Sequence, residues 1–424
     1  MSLMAYILEH NRYMNFFGII AIIVIAWLFS YNRSRVNYWL ILKALGLQFG
    51  IGFLVLKTNP GHYCVSVMAQ GVAYMYQFAD EGSRFVFGNL VNAETPWGFI
   101  FAIRVLPVII FFGAFTAVMF HFGIIQKCVA VINALIRPLL GTSGAETLCA
   151  VSNSFLGQTE APLLIRNYLK TMTKSEILVV MVSGMATISG SILVVFGSMG
   201  VPVEHMLAAS VMAIPASIMI AKIIIPETEQ SQTAVGADVK FENDSSNVMD
   251  AVFRGTSDGL SLAVNVAAML IAFMAFLAFF DAMLAGFAFY ANMLFIKLGL
   301  TIGLPVNLSV KYIFGLLFKP FGYLLGFTGL EASVAGELIG IKVAANELIA
   351  YGELITRGLS ERTMAILTYA LCGFSNFSCI GIQVGGIGAL VPEKRQWLTE
   401  LGWYAVLGGA LSNILSAMMA SLLL

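Results

Sequence analysis

Charge is what this chain has least of. Asp, Glu, Lys and Arg make up 11% of its 424 residues, against roughly 25% in soluble proteins. The 23 basic and 23 acidic side chains cancel to a formal net charge of zero, which excludes the electropositive footprint of a nucleic-acid partner. Histidine is scarcer still: the four in the chain are scattered and form no metal cluster. Five cysteines (Cys64, Cys128, Cys149, Cys372 and Cys379) match no zinc or redox spacing, and their odd number gives no disulfide framework. They read as small apolar side chains of a membrane interior. No G-x-S-x-G, H-E-x-x-H or P-loop pattern occurs, so nothing supports an enzyme.

What the chain has instead is hydrophobic residues, 59% of the total, with a mean hydropathy of +0.88. A membrane crossing needs about 20 mostly apolar residues. Eight stretches qualify, at 14–30, 38–57, 98–121, 175–198, 203–225, 259–285, 363–390 and 399–424. The first meets Asn32-Arg33-Ser34-Arg35 rather than a small-residue cleavage site, so it reads as an uncleaved span. Residues 64–88, 123–140 and 309–328 carry charges at intervals and read as interfacial or bracing helices. Basic residues orient the chain. Arg33 and Arg35, then Lys127, Arg137, Arg166, Lys170 and Lys174, then Lys394 and Arg395, mark the cytoplasmic side. The turns near 201–204 and 301–307 are poor in basic residues and fit the outside, and eight crossings leave both termini outside.

Two segments are as long as a span but too polar for lipid. Residues 142–168 hold Glu146, Asn153, Gln158, Glu160 and Arg166; residues 329–357 hold Glu331, Glu337, Lys342, Asn346, Glu347 and Glu353. Re-entrant hairpins are the natural solution, since irregular backbone survives at membrane depth only inside protein or beside a water-filled cavity. Three spans separate the two hairpins, so they enter from opposite faces. The chain therefore divides into scaffold (1–121), first repeat (122–225), a polar cytoplasmic linker (226–258), a scaffold span (259–308) and an inverted second repeat (309–424). Paired interruptions of this kind point to a transporter site near the midplane.

The same 27 residues separate Glu160 from Thr187 and Glu347 from Phe374, and both later positions lie in interrupted apolar stretches. An ionisable residue at membrane depth is a functional candidate; the structural alternative is a cap or an internal ion pair, with Lys342 for example. Gln158 and Thr159 add amide and hydroxyl groups able to read a polar ring, or to close the hairpin turn. Around Thr187, small polar residues and unwound carbonyls suit an oxygen cage for a monovalent cation, built from Asn153, the Leu156 carbonyl, Thr187 and the Ile188 carbonyl; a Gly/Ser helix-packing surface is the alternative. Phe374 can stack on a flat ring and Asn376 can donate and accept. Arg104 and Asp281, within apolar spans, read as pairing partners.

At these residues the chain resembles the concentrative nucleoside transporter family. The match lies in Gly157-Gln158-Thr159-Glu160, in Gly340-x-Lys342-x-x-x-Asn346-Glu347-Leu348-Ile349-Ala350-Tyr351, and in Cys372-Gly373-Phe374-Ser375-Asn376-Phe377-Ser378. The resemblance implies an all-α integral membrane protein, a homotrimer of eight-span protomers with two hairpins and an elevator-like transport domain, in a bacterial inner membrane. It implies that Gln158, Thr159 and Glu160 face the nucleobase, that Phe374 and Ile192 flank it, and that Glu347 and Asn376 hold the ribose. Asn153, Leu156, Thr187 and Ile188 would bind sodium. The chain departs from the family pattern at Leu348, where phenylalanine is usual, at Ser375 for alanine, and at Cys379 for serine near the ribose, where a thiol is the weaker partner. Asn153 favours sodium; proton coupling through Glu347 or Glu160 is the alternative.

Overall fold

In lipid, a backbone that must satisfy its own hydrogen bonds has helix as its local solution. The computed structural model describes residues 3–92, 100–233, 245–300, 303–306 and 308–424, and among these every regular element is helical. Asp238, Lys240, Glu242 and Asp244 of the expected linker, residues 98 and 99 of the third expected span, and Thr301 and Asn307 of an expected outer turn lie outside the described residues.

After a short helix (Leu3–Leu8) and a 3-10 turn (Glu9–Asn11) come α1 (Tyr13–Leu28) and α2 (Tyr38–Lys57), the latter started by Asn37, whose side chain accepts from Trp39 N and Leu40 N at 3.0 and 3.1 Å. The segment expected to lie at the interface is one helix, α3 (Asn59–Phe87). Then come α4 (Leu106–His121) and α5 (Ile124–Leu140). The first polar segment folds as α6 (Gly144–Ser152), an irregular turn, a 3-10 stretch (Ala161–Ile165) and one helical turn (Arg166–Leu169). After it, α7 (Lys174–Ala186) stops, residues 187–189 run extended, and α8 (Gly190–Ser198) resumes, followed by α9 (Val203–Ile224).

The starts of α6 and α7 are locked together. Ser143/Glu146 and Thr173/Glu176 are both capping boxes, which satisfy otherwise orphaned N–H groups. Ser143 Oγ also donates to Glu176 Oε1 at 2.5 Å. Lys222, buried at the end of α9, pairs with Glu146 (2.8 Å) and Glu227 (3.0 Å). Burying that ammonium is costly unless it is paired, and two carboxylates meet the need.

The second half mirrors the first. After α10 (Val248–Lys297) and α11 (Val310–Leu324) come α12 (Gly329–Ala344), a two-residue interruption and α13 (Glu347–Thr356). Next, α14 (Glu361–Leu371) stops, residues 372–377 are irregular, and α15 (Ser378–Leu390) resumes. The last helix, α16 (Arg395–Leu423), is buried almost throughout from Gly408 onward and packs against α1, α2, α7, α9, α14 and α15.

Six helical stretches among the described residues are long and apolar enough to cross a membrane, or eight if each of two bent pairs is one span. These eight are not all the expected ones. One bent pair joins α11 to α12 at 118°, while the stretch at 363–390 consists of two short helices. The span expected at 259–285 is the middle of α10, which has 50 residues. At about 1.5 Å per residue it measures roughly 75 Å, against a hydrocarbon core of about 30 Å. Its start lies inside the segment expected as linker, where Asn247 caps it and Asp250 pairs with Arg254 at 3.1 Å. Asp281 does not end in a charge pair in this fold: its Oδ1 accepts from Val310 N at 2.8 Å and so caps α11.

α10 is mostly exposed, with buried residues Ala251, Gly255, Gly259 and Ala263 spaced every fourth position. This small-residue seam lets α4 approach closely: a Cβ at Gly113 would lie 2.5 Å from Gly255 O, and one at Gly259 would lie 2.9 Å from Ile109 O. Gly255→Leu should therefore separate α4 from α10 at a cost of about 1–3 kcal/mol, seen as a lower melting temperature of the detergent-solubilised protein.

Candidate functional site

The two polar segments and the two helix breaks converge on a cavity of about 870 Å³, within the range of small-molecule sites. Gln158, Thr159 and Glu160 reach it from the turn after α6, and Ile192 from α8. Asn346 and Glu347 come from the α12–α13 junction, and Phe374, Asn376, Ser378 and Cys379 from the second break. Arg254, Asp258, Ser261 and Asn265 of α10 form the facing wall. All eight residues expected at a substrate site are thus brought to one cavity.

One of their hydrogen bonds, that between Gln158 and Cys379, joins the two halves of the chain. Asn376 Nδ2 donates to Glu347 Oε2 at 3.0 Å, and Gln158 Nε2 reaches Cys379 Sγ at 3.2 Å. The oxygen of Asn376 accepts from Ser378 Oγ (2.6 Å) and from Cys379 N (3.1 Å), which fixes the amide's orientation. Glu347 is the first residue of α13, where free N–H groups favour a carboxylate. Asn346 caps that helix by accepting from Ile349 N at 2.9 Å. Gln158 Oε1 is buried and without a partner, an acceptor left for a ligand to satisfy. Glu160 folds back on its own turn, accepting from Gly157 N at 3.2 Å, and sits exposed at the cavity wall.

Asn153, Leu156, Thr187 and Ile188 are all buried, and Leu156 also lines the cavity. Asn153 Nδ2 donates to Ser183 Oγ at 3.0 Å, while its Oδ1 is buried without a partner. Thr187 Oγ1 spends its hydrogen on Ser183 O (2.9 Å), leaving its lone pairs as acceptors. These are neutral oxygens, and among the described residues no cluster of His, Cys, Asp or Glu could hold a metal. The donor set therefore suits a monovalent cation of modest charge density. The two breaks touch directly, since Phe374 N donates to Thr187 O at 3.3 Å.

Sequence reasoning missed several residues. Lys342 was weighed as an ion-pair partner; instead its Nζ donates to Ala370 O (3.1 Å) and to Asn413 Oδ1 (2.5 Å). Asn413 itself stood unremarked in an apolar span, although a lone amide there was a legible signal. The polar face of α10 (Arg254, Asp258, Ser261 and Asn265) has helical spacing and was also passed over. Asn346→Ala should remove the α13 cap at a cost of about 1 kcal/mol, read as a lower unfolding midpoint.

Comparison with known proteins agrees with this geometry. The model for the Na+ dependent nucleoside transporter C-terminus matches residues 205–421, that for the N-terminus matches 17–90, and a nucleoside recognition model matches 102–203. The nucleoside permease NupC of Helicobacter pylori is 39% identical over 416 residues, covering 96% of each chain. The sodium/nucleoside cotransporter 1 of Rattus norvegicus is 35% identical over 431 residues, 97% of this chain and 64% of that one. The solved structure of CNTnw in an inward-facing substrate-bound state superposes with a TM-score of 0.88 at 36% identity, covering 97% of both chains.

Proposed function

The chain belongs to the Na+ dependent, or concentrative, nucleoside transporter family, and from that premise we propose that it imports nucleosides by symport with sodium. It is a membrane transporter and not an enzyme. The observation that carries the specific reading is the meeting of both halves at one cavity, where Gln158 Oε1 is unpaired and Glu347 accepts from Asn376 at the N-terminus of α13. Glu347 and Asn376 together offer acceptors and a donor to the hydroxyls of a ribose. Gln158, Thr159 and Glu160 offer the mixed donors and acceptors a nucleobase requires, with Phe374 and Ile192 as apolar flanks. Cys379, already engaged by Gln158, contributes a soft partner where a hydroxyl would be stronger.

Sodium is assigned to Asn153, Thr187 and the carbonyls of Leu156 and Ile188. The buried, unpartnered Asn153 Oδ1 supports this, as does the likeness to the rat sodium/nucleoside cotransporter. Ion binding would order the α6 turn and the first break together, and so present Gln158, Thr159 and Glu160. We assign eight crossings, with the α6 turn and the α12–α13 junction as tips of two re-entrant hairpins that ride in an elevator-type domain. The remaining assignments are a bacterial inner membrane, both termini outside, and a homotrimer, to which the exposed apolar faces of α3 and α10 are suited.

Radiolabelled uridine uptake into proteoliposomes decides the ion. Accumulation should require an inward sodium gradient; uptake indifferent to sodium but driven by external acid overturns the assignment in favour of protons. Hydrogen bonds to a charged group are worth about 1.5–3 kcal/mol, so Glu347→Ala should weaken uridine binding roughly ten- to hundredfold, measured by calorimetry at saturating sodium.

A further inference from the structure

Two helices end inside the buried core, and each leaves carbonyls without intrahelical partners. α7 ends at Ala186 and α14 at Leu371. A single side chain of α16 meets one carbonyl at each end: Asn413 Nδ2 donates to Ala186 O at 2.6 Å and to Cys372 O at 2.7 Å. Its oxygen faces the other way, accepting from Lys342 Nζ at 2.5 Å and from Ser375 Oγ at 3.3 Å. Two acceptors on one side and two donors on the other leave the amide a single orientation, because a flip would set oxygen against oxygen. Asn413 is 1% exposed.

The backbone around it is shaped for this contact. A Cβ at Gly373 would lie 2.5 Å from Asn413 Oδ1, so only glycine lets the second break come this near. One turn back on α16, a Cβ at Gly409 would lie 2.8 Å from Met185 Cβ and 3.0 Å from Ser375 Cβ. The face of α16 that presents Asn413 is therefore bare enough to press against both breaks at once.

We infer that Asn413 is a positioning residue that couples the ion site to the nucleoside site. This rests on the reading of the first break as the ion's and the second as the nucleoside's. Thr187 follows Ala186 directly, and Cys372 begins the irregular segment that carries Phe374 and Asn376. Anything that stiffens the Ala186 carbonyl restricts the Asn413 amide, and a restricted amide fixes the Cys372 carbonyl. An ordered second break then binds nucleoside with less to order. Lys342 keeps the amide oxygen anchored while this happens.

The test compares uridine affinity with and without sodium by calorimetry, using the full-length purified protein. Coupling between sites is commonly about 5–150-fold, and the wild type should fall in that range. Asn413→Ser keeps a small polar side chain with one donor in place of two, so it can serve only one carbonyl. Coupling should fall to about twofold or less, with sodium-free affinity within about threefold of wild type. Ser421→Ala, on the same helix, breaks a bond to Leu325 O (3.1 Å) far from both breaks and should keep wild-type coupling. Full coupling in Asn413→Ser would assign the linkage to the direct Phe374–Thr187 bond and overturn the role of Asn413. Wild-type protein whose uridine affinity ignores sodium overturns the ion reading itself, and the coupling role with it. Hydrogen exchange on the wild type needs no variant: sodium alone should slow exchange in both 187–189 and 374–379. Protection confined to the first break overturns the inference.

Discussion

Everything that gives this molecule a site depends on two helices that stop inside its buried core. A broken helix at membrane depth exposes backbone carbonyls and N–H groups that lipid cannot satisfy. Here the debt is met inside the fold. The first break is held by Thr187 O accepting from Phe374 N, by Gly190 N donating to Phe155 O, and by Asn413 on Ala186 O. The second is held by Asn413 on Cys372 O and by the amide oxygen of Asn376. Once these are made, the extended residues between the helix halves can turn side chains and carbonyls toward a cavity rather than toward each other.

Much of this was legible in the sequence, for a physical reason. Carboxylates and amides are costly in apolar surroundings, so Gln158, Glu160, Asn346, Glu347 and Asn376 announce themselves against a hydrophobic background. Glycine and serine interruptions around Thr187 and Phe374 mark where helix fails. What the pattern does not carry is direction. Glu160 lines the cavity, yet its carboxylate turns back to accept from Gly157 N in its own turn. Hydropathy marks 363–390 as one apolar stretch, and the interruption around Phe374 marks where it divides into α14 and α15. Hydropathy also reads the start of α10 as linker, although Asn247 and the Asp250–Arg254 pair make those polar turns a stable helix.

Asn413 shows the other limit. It contacts Ala186, 227 positions away, and Cys372, 41 positions away. No periodicity or spacing rule connects such residues; only the packing of α16 against α7 and α14 does. Lys342 is the same case. Next to Glu347 in the chain it reads as an ion-pair partner, but helix geometry points it at α16, where it secures an amide instead of a carboxylate.

The two sites differ in charge, and the difference bears on how a loaded domain could cross a bilayer. The cage assigned to the ion is made of neutral oxygens, so an ion's departure leaves no buried charge behind, only the unpaired Asn153 oxygen and its neighbours. The cavity proposed for the nucleoside carries a carboxylate, Glu347, in its wall. In this structure that carboxylate accepts from Asn376 Nδ2 at 3.0 Å. An acidic residue held this way has a partner in both the loaded and the empty domain. A carboxylate that lost its partner on release would face the full cost of an isolated ion in low dielectric, and the return step would be the slow one. In the proposed transport cycle, the pairing of Glu347 with Asn376 would serve the empty carrier as well as the loaded one.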